Sequence, residues 1–316
     1  MIKGNKIIAE AIRDVGIETI FTVAGGHFLP TYNEIGIIGA TKIISARHEQ
    51  GAGYMASGYA LATGQVGVVL SGAPGPGATN LVTSVANAQA DSIPLLILSA
   101  QVDKRYLHRN ILQYCNNVAL FEPFCKSSVE AASIDEIPNL LSTSIQLAHS
   151  GRPGPVHISL PQNLQAETTS SQKIIPFEKL NIGKPSNVDI KILLKALRNC
   201  KRPVILAGHG VLRADSSLIL KKVAEKIGAP VATSRSGIGC IPTNHPHSVG
   251  MLGFYGTDTA RDSINEADLI LVLGCALGEQ TTFGWRSKIF ATDAHIVQVD
   301  IDASQLNRVY KLDQGI

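Results

Sequence analysis

One short run of the sequence places a carboxylate where it could exchange a proton with a ligand. Glu49 lies within Arg47–Ala52, where a predicted strand passes into a predicted helix among small residues. A carboxylic acid that is buried there can be neutral near pH 7 and can exchange a proton with a ring nitrogen. The alternative is a structural carboxylate in the first turn, which the helix dipole stabilises. Taken alone, the residues favour this structural interpretation.

Two glycine-bearing turns follow predicted strands and lead into predicted helices. The first contains Gly25 and Gly26, and the second is Gly72–Asn80. Glycine lets the backbone approach a ligand closely, and a helix N-terminus offers free N–H groups. No Lys-Ser or Lys-Thr pair follows either turn, so neither is a nucleotide-binding P-loop. Tight turns in an α/β sheet are an equally good interpretation.

The second half of the chain contains a weaker signal. Gly208-His209-Gly210 follows a predicted strand like the start of a dinucleotide fingerprint, but Arg213 replaces the third glycine. No acidic residue ends the next strand, at 232–235, so NAD binding is excluded. A packing turn is the preferred interpretation, and a flavin or nucleotide pocket is the alternative. His245 and His247 lack metal-ligand spacing, so no metal site is predicted in this chain.

Composition indicates a globular protein of 316 residues, with 45% hydrophobic and 17% charged residues. The net charge of +3 is too small to suggest nucleic acid or an acidic membrane as a partner. The five cysteines are scattered, which favours a reducing compartment. The first residues lack the pattern of a signal peptide, and no apolar run reaches the roughly 20 residues of a membrane helix. We therefore expect a cytoplasmic protein that binds neither membrane nor nucleic acid.

Alternating strand and helix patterns predict an α/β fold of two doubly wound, mostly parallel-sheet domains. We expect a first domain over residues 1–165, a linker over 166–188 and a Rossmann-like central domain over 189–316. The predicted strands are Ile17–Val23, Lys42–Ala46, Gly67–Ser71, Leu95–Ala100, Val156–Leu160, Pro203–Ala207, Pro230–Thr233, Asp268–Leu273 and His295–Asp300. The predicted helices are Pro30–Ile35, Glu49–Thr63, Asp189–Arg198 and Ser216–Ile227.

Several motifs, in order along nearly the whole chain, are similar to those of one enzyme family. In the first half they are Arg47–Ala52, Gly58–Ala60, Ala62–Gly64, Gly75–Val82, Asp91–Leu95 and Ser150–Val156. In the second half they are Lys226–Val231, His245-Pro246, Gly250–Gly253, Gly256-Thr257 and Val299–Asp302. The chain resembles the N-terminal pyrimidine-binding and central domains of thiamine-diphosphate-dependent enzymes of the acetolactate synthase and benzaldehyde lyase type.

This resemblance assigns roles to the candidate residues. It implies that Glu49 contacts N1′ of the aminopyrimidine ring of thiamine diphosphate and promotes loss of the thiazolium C2 proton. A 2-keto acid would then be decarboxylated and joined to a second carbonyl. The catalytic interpretation of Glu49 is now preferred. The implied cofactor contacts are Gly25, Gly26, Glu49, Gly75 and Asn80, and the implied substrate contacts are His27 and Gln113.

The sequence departs from the family pattern at several positions. Ala24 replaces a proline, and Leu112-Gln113-Tyr114 replaces Phe-Gln-Glu, which puts a synthase-type substrate pocket in question. His27 with Gln113 is more similar to benzaldehyde-lyase-type enzymes. Ala276–Gln280 replaces an arginine-rich flavin-contact segment, which weakens the case for FAD without removing it.

The family pattern also continues beyond Asp302, into a domain whose Gly-Asp-Gly and Asn bind Mg²⁺ and the diphosphate. We therefore expect the N-terminal component of a 2-keto acid decarboxylase or carboligase. It would form a homodimer and need a separately encoded diphosphate-binding subunit, which would supply the Mg²⁺ site. The alternative is a truncated or repurposed non-catalytic module that binds a nucleotide through its second half.

Overall fold

The computed structural model describes residues 1–170 and 184–316, and the chain divides into two compact units, residues 1–181 and 182–316. The predicted linker lies partly outside the described residues. Of its described part, Thr168–Thr169 forms a short strand and a helix begins at Asn187. Each unit is an α/β domain with a six-stranded parallel sheet, which confirms the predicted fold class.

The first unit contains a parallel sheet and a separate two-stranded ribbon. Its strands are β1 (Ile2–Lys3), β2 (Thr19–Val23), β3 (Lys42–Ser45), β4 (Gly67–Ser71), β5 (Leu95–Gln101), β6 (Ser128–Glu130), β7 (Pro155–Pro161) and β8 (Thr168–Thr169). The sheet order is β3-β2-β4-β5-β7-β6, while β1 and β8 pair antiparallel. All residues of β4, β5 and β7 are buried, because helices cover both faces of a parallel sheet.

Helices flank this sheet on both faces. They are α1 (Gly4–Asp14), α2 (Leu29–Ile38), α3 (Glu49–Thr63), α4 (Pro76–Thr79), α5 (Val82–Ala90), α6 (Asn117–Phe121), α7 (Ile137–His149) and α8 (Gln162–Ala166). One core cluster joins α1, α2 and α7 to the sheet, and another joins α3 and α5 to it. The small residues of α3 allow it to pack closely against the sheet, and α3 has the bounds predicted from the sequence.

The second unit has its own parallel sheet in the order β11-β10-β9-β12-β13-β14. Its strands are β9 (Pro203–Ala207), β10 (Val231–Thr233), β11 (Ser248–Met251), β12 (Leu269–Leu273), β13 (His295–Val299) and β14 (Gln314–Gly315). Its helices are α9 (Asn187–Asn199), α10 (His209–Arg213), α11 (Ser217–Ile227) and α12 (Asp258–Glu266). The sequence analysis missed β11 and β14, as it missed β6 in the first unit, because these edge strands are short and carry few apolar residues.

A chain of hydrogen bonds crosses the core of the first unit between β5, β7 and β6. Asn117 Nδ2 donates to Ser99 Oγ at 3.0 Å, and Ser99 Oγ lies 2.8 Å from His157 Nε2. His157 Nδ1 lies 2.8 Å from Ser128 Oγ, which donates its proton to the Val118 carbonyl at 2.8 Å. Because Ser128 has only one proton, His157 must donate from Nδ1. The chain thus starts and ends at the first two residues of α6. Burial keeps the imidazole neutral, so its Nε2 accepts from Ser99.

Burial lowers the pKa of His157 to about 3 from an ordinary value of 6.5. An unfolded chain would therefore take up a proton between about pH 6.5 and pH 3 that the folded chain does not. The contribution of His157 to the free energy of unfolding is fully present above pH 6.5. It is lost as the pH falls through this window, by at most about 1.4 kcal/mol per pH unit.

We expect His157→Asn to lower the free energy of unfolding at pH 7 but to flatten its dependence on pH between 6.5 and 4. Urea unfolding at several pH values measures this slope. His108→Asn, at an exposed position, serves as the matched control and should keep the slope of the original protein. Equal slopes for both variants would contradict the assignment of the acid sensitivity to His157.

Candidate functional site

Glu49 is the first residue of α3 and lies at the carboxyl edge of the first unit's sheet. His48 is the N-cap, and its Nδ1 accepts a hydrogen bond from the Gln50 amide at 3.2 Å. The Glu49 side chain is half-buried, and its Oε2 accepts a hydrogen bond from Asn80 Nδ2 at 2.9 Å. One carboxylate oxygen is thereby held in place by a neutral donor, which fixes the position of the other, Oε1.

The short helix α4 carries Asn80 to this position. Pro76 begins the helix, and Asn80 is its C-cap. A Cβ added to Gly77 would lie 2.5 Å from Ser71 Oγ and 3.4 Å from Glu49 Oε1. A side chain at position 77 would therefore collide with the end of β4 and crowd Oε1. The glycine allows α4 to pack against β4 and leaves Oε1 accessible.

The two predicted glycine turns meet between β2 and β4. In the order β3-β2-β4-β5 the connections after β2 and β4 run in opposite directions, which creates a crevice at the carboxyl ends of the strands. Open α/β sheets bind ligands in such crevices. A Cβ on Gly25 would lie 2.3 Å from the carbonyl carbon and oxygen of Gly72, so the two backbones touch here. By contrast, no atom lies within 4 Å of a Cβ added to Gly26, which leaves open space beside the turn.

The backbone of Gln113 packs against the second glycine turn. Gly75 has a φ of +55°, and a Cβ there would lie 2.4 Å from the Gln113 carbonyl oxygen. Gln113 itself has a φ of +67°, which is unusual for a residue with a side chain. Its side chain is partly exposed, between the exposed Leu112 and Tyr114. Contacts therefore link Gln113 to Gly75, and α4 links Gly75 to Asn80 and Glu49.

Tyr32 is a neighbour that the sequence analysis missed. Its hydroxyl lies 2.6 Å from Thr22 Oγ1, and a Cβ added to Gly72 would lie 2.9 Å from it. Burial raises the pKa of Tyr32, and the negative charge of Glu49 adds to this effect. Tyr32 therefore stays a neutral hydroxyl close to the carboxylate. In the sequence, Tyr32 is an aromatic residue in a predicted helix, and nothing there indicates that it lies close to the carboxylate.

His27 has a different set of contacts from the other candidates. It lies in the single 3-10 turn Gly26–Phe28, and burial lowers the pKa of its imidazole, which favours the neutral form. Its carbonyl oxygen accepts a hydrogen bond from Gln165 Nε2 at 2.6 Å, which fixes the backbone of the turn. The described contacts therefore join Gly25, Gly75, Gln113, Asn80 and Glu49 along one edge, but they do not place the His27 ring against Gln113.

The glycine turn of the second unit is used for packing. The Gly208 amide donates to the Leu273 carbonyl at 2.9 Å, and the Gly210 amide donates to the Gly274 carbonyl at 3.0 Å. A Cβ on Gly208 would lie 2.2 Å from the Gly274 oxygen. These two N–H groups are therefore not free to bind a phosphate, which favours the preferred interpretation of a packing turn.

Residues 1–170 and 184–316 contain neither a candidate metal-ligand cluster nor a helix that could cross a membrane. Within these ranges, no group of three or more His, Cys, Asp or Glu residues is arranged to hold a metal ion. No helix within them is long and apolar enough to cross a membrane.

Comparisons with known proteins agree with the order of the two units. The family model for the thiamine pyrophosphate enzyme N-terminal TPP binding domain matches residues 2–120, and the model for the central domain matches residues 190–316. The chain is 36% identical to a probable acetolactate synthase large subunit of Methanococcus aeolicus, over 99% of the chain and 53% of that protein. It is 33% identical to the acetolactate synthase isozyme 3 large subunit of Escherichia coli, over 99% of the chain and 55% of that protein. The chain thus spans about half the length of these curated relatives.

The backbone contact between the two glycine turns generates a test with a matched pair of variants. We expect Gly25→Ala to lose roughly 1–3 kcal/mol of stability, because its methyl group overlaps the Gly72 backbone. Gly26→Ala should remain within about 0.5 kcal/mol of the original protein, because its methyl group meets open space. Urea unfolding measures both. Equal stability of the two variants would show that the turns do not meet as described.

Proposed function

The chain belongs to the thiamine pyrophosphate enzyme family, whose N-terminal and central domains it carries, and we propose that its first unit acts on the aminopyrimidine ring of thiamine diphosphate. The reaction class we propose is decarboxylation of a 2-keto acid followed by addition to a second carbonyl, as the names of the acetolactate synthase relatives suggest. The observation that carries this proposal is the Glu49–Asn80 pair at the carboxyl edge of the sheet.

The residues of the first unit fit the aminopyrimidine ring. A carboxylic acid that retains one accessible oxygen can hold or move a proton at a ring nitrogen. Asn80 donates to Oε2 and Gly77 leaves Oε1 uncrowded, so Oε1 is the atom we assign to N1′. Gly25, Gly26 and Gly75 form the surrounding backbone, and the open space beside Gly26 admits a flat ring. When bound, thiamine diphosphate supplies the electron sink that a 2-keto acid needs in order to lose carbon dioxide.

A surface without charges extends from the same site. The 41 residues from Gln50 to Ala90 include no Asp, Glu, Lys, Arg or His. Within this stretch, α3 exposes 42% of Tyr54, 43% of Met55 and 50% of Leu61. Helices on a protein surface normally carry charged residues on their outer side, whereas helices that are apolar all round are buried. This surface therefore supports contact with another protein domain.

We assign this contact to a diphosphate-binding domain outside these 316 residues, which would also hold the Mg²⁺. The surface begins next to Glu49, so a domain that covers it would reach the bound cofactor from the side that the first unit leaves open. A second copy of the chain completes the proposed assembly as a homodimer. FAD is not part of the proposal, because the turn at Gly208 is filled by its packing against Gly274.

The role of Glu49 is tested by exchange of the cofactor's C2 proton for deuterium. In the intact assembly isolated from its own cells, with thiamine diphosphate and Mg²⁺, we expect Glu49→Gln to slow this exchange by at least about 100-fold. The amide keeps the size of the side chain but cannot exchange a proton with N1′. Proton NMR follows the exchange. Glu18→Gln, the same change just before β2 at the opposite edge of the sheet, is the control. Undiminished exchange in Glu49→Gln would overturn the assignment.

The outer side of α3 is tested by placing a charge on it. We expect Met55→Lys to weaken association of the assembly by more than tenfold, because the ammonium group would lose water at the contact. Ile37→Lys introduces the same charge at an exposed position of α2, on the opposite face of the sheet, and should have no effect. Analytical ultracentrifugation of the assembly measures both. Equal association of the two variants would exclude this side of α3 as the contact.

A further inference from the structure

We infer that Gln101 and Asn117 are positioning residues for the substrate side of the site, because they fasten both ends of the segment that carries Gln113. This segment, residues 102–116, runs from the end of β5 to the start of α6. The contact of Gln113 with substrate rests on the proposed function. The fastening of the segment rests on the hydrogen bonds alone.

Gln101 joins the two ends of the segment with a single side-chain amide. It is the last residue of β5 and is 2% exposed. Its Oε1 accepts a hydrogen bond from the Val102 amide at 2.8 Å, and its Nε2 donates to the Cys115 carbonyl at 2.8 Å. This arrangement requires one acceptor and one donor on the same side chain, which glutamine has and glutamate lacks. The amide therefore closes the segment into a loop.

Asn117 fastens the far end of the loop to the sheet. It is 1% exposed, and its Nδ2 donates to Ser99 Oγ at 3.0 Å and to the Ala100 carbonyl at 3.1 Å. Its backbone amide also donates to the Cys115 carbonyl at 2.9 Å. Through Ser99, Asn117 belongs to the hydrogen-bond chain that contains His157. The end of the loop is thus tied to fully buried polar groups of the first unit, Ser99 and His157.

The fastened end lies two residues from Gln113. A φ of +67° at Gln113 is a strained conformation that persists only where the surroundings hold it. One restraint comes from Gly75, which packs against the Gln113 carbonyl, and the other comes through Cys115 from Gln101 and Asn117. If Gln101 and Asn117 released Cys115, Gln113 could relax to an ordinary backbone conformation. Its side chain would then leave the position that we assign to substrate contact.

A pair of adjacent variants separates this role from general support of the core. Asn117→Asp removes the two hydrogen bonds that the Asn117 side chain donates and keeps the one from its backbone amide. Asn116→Asp keeps the acceptor that caps α6 at the Ala119 amide. By hydrogen–deuterium exchange of the intact assembly, we expect residues 102–116 to exchange at least tenfold faster in Asn117→Asp, with α1 and β4 unchanged. Asn116→Asp should match the original protein. Unchanged exchange in the loop, or uniformly faster exchange throughout the first unit, would overturn the inference.

Gln101→Glu provides a second variant in case Asn117→Asp does not fold. It keeps the acceptor for Val102 and loses only the donor to Cys115. We expect the KM for the 2-keto acid to rise about tenfold or more, with exchange of the cofactor's C2 proton unchanged. Gln65→Glu, which keeps an acceptor for the Tyr59 hydroxyl at the other edge of the sheet, is the control.

The two proposals fail in different ways. Faster loop exchange with an unchanged KM would overturn the positioning role and leave the cofactor role of Glu49 intact. If the original assembly does not exchange the C2 proton at all, the proposed function is wrong, while loop exchange still decides whether Gln101 and Asn117 fasten the segment.

Discussion

The close approach of two backbones at Gly25 and Gly72 is the constraint on which the arrangement of residues at the carboxyl edge of the first unit's sheet depends. Strands β2 and β4 are neighbours, but their following connections run in opposite directions. The turns can meet only where neither residue has a side chain, since a Cβ at either position would lie 2.3 Å from the other backbone. With the turns in contact, the chain continues from β4 into α4. Asn80, at the end of α4, lies within hydrogen-bond distance of Glu49. A contact between two glycines thus helps to determine where Asn80 and Glu49 meet.

The fold was predicted far more completely from the sequence than the site was. Continuous apolar runs identified β4, β5 and β7, and small residues identified α3 with its observed bounds. The relation between Glu49 and Asn80, which are 31 residues apart, could not be obtained from spacing, because it depends on the order of the strands. The resemblance to a family named both residues but did not predict that they are hydrogen-bonded to each other.

The polar chain in the core was missed for a similar reason. Ser99 and His157 are 58 residues apart, and each lies in a mostly apolar strand that holds one other polar residue. Only the parallel register of β5 with β7 brings them together. Gln101 and Asn117 likewise have ordinary surroundings in the sequence, and their importance follows from the hydrogen bonds that they make across a loop. Sequence patterns indicate which faces are buried, but they do not indicate which buried polar groups form hydrogen bonds with each other.

The charge-free stretch from Gln50 to Ala90 has a consequence for the chain before it is assembled. Charged residues that flank apolar strands act as gatekeepers against aggregation, and this stretch, which includes all of β4, has none. A copy of the chain whose α3 is not in contact with another domain exposes an apolar surface that favours aggregation, because no charges on it repel other copies. Under the proposal that another domain covers α3, cells would benefit from matching the supply of this chain to that of the covering domain.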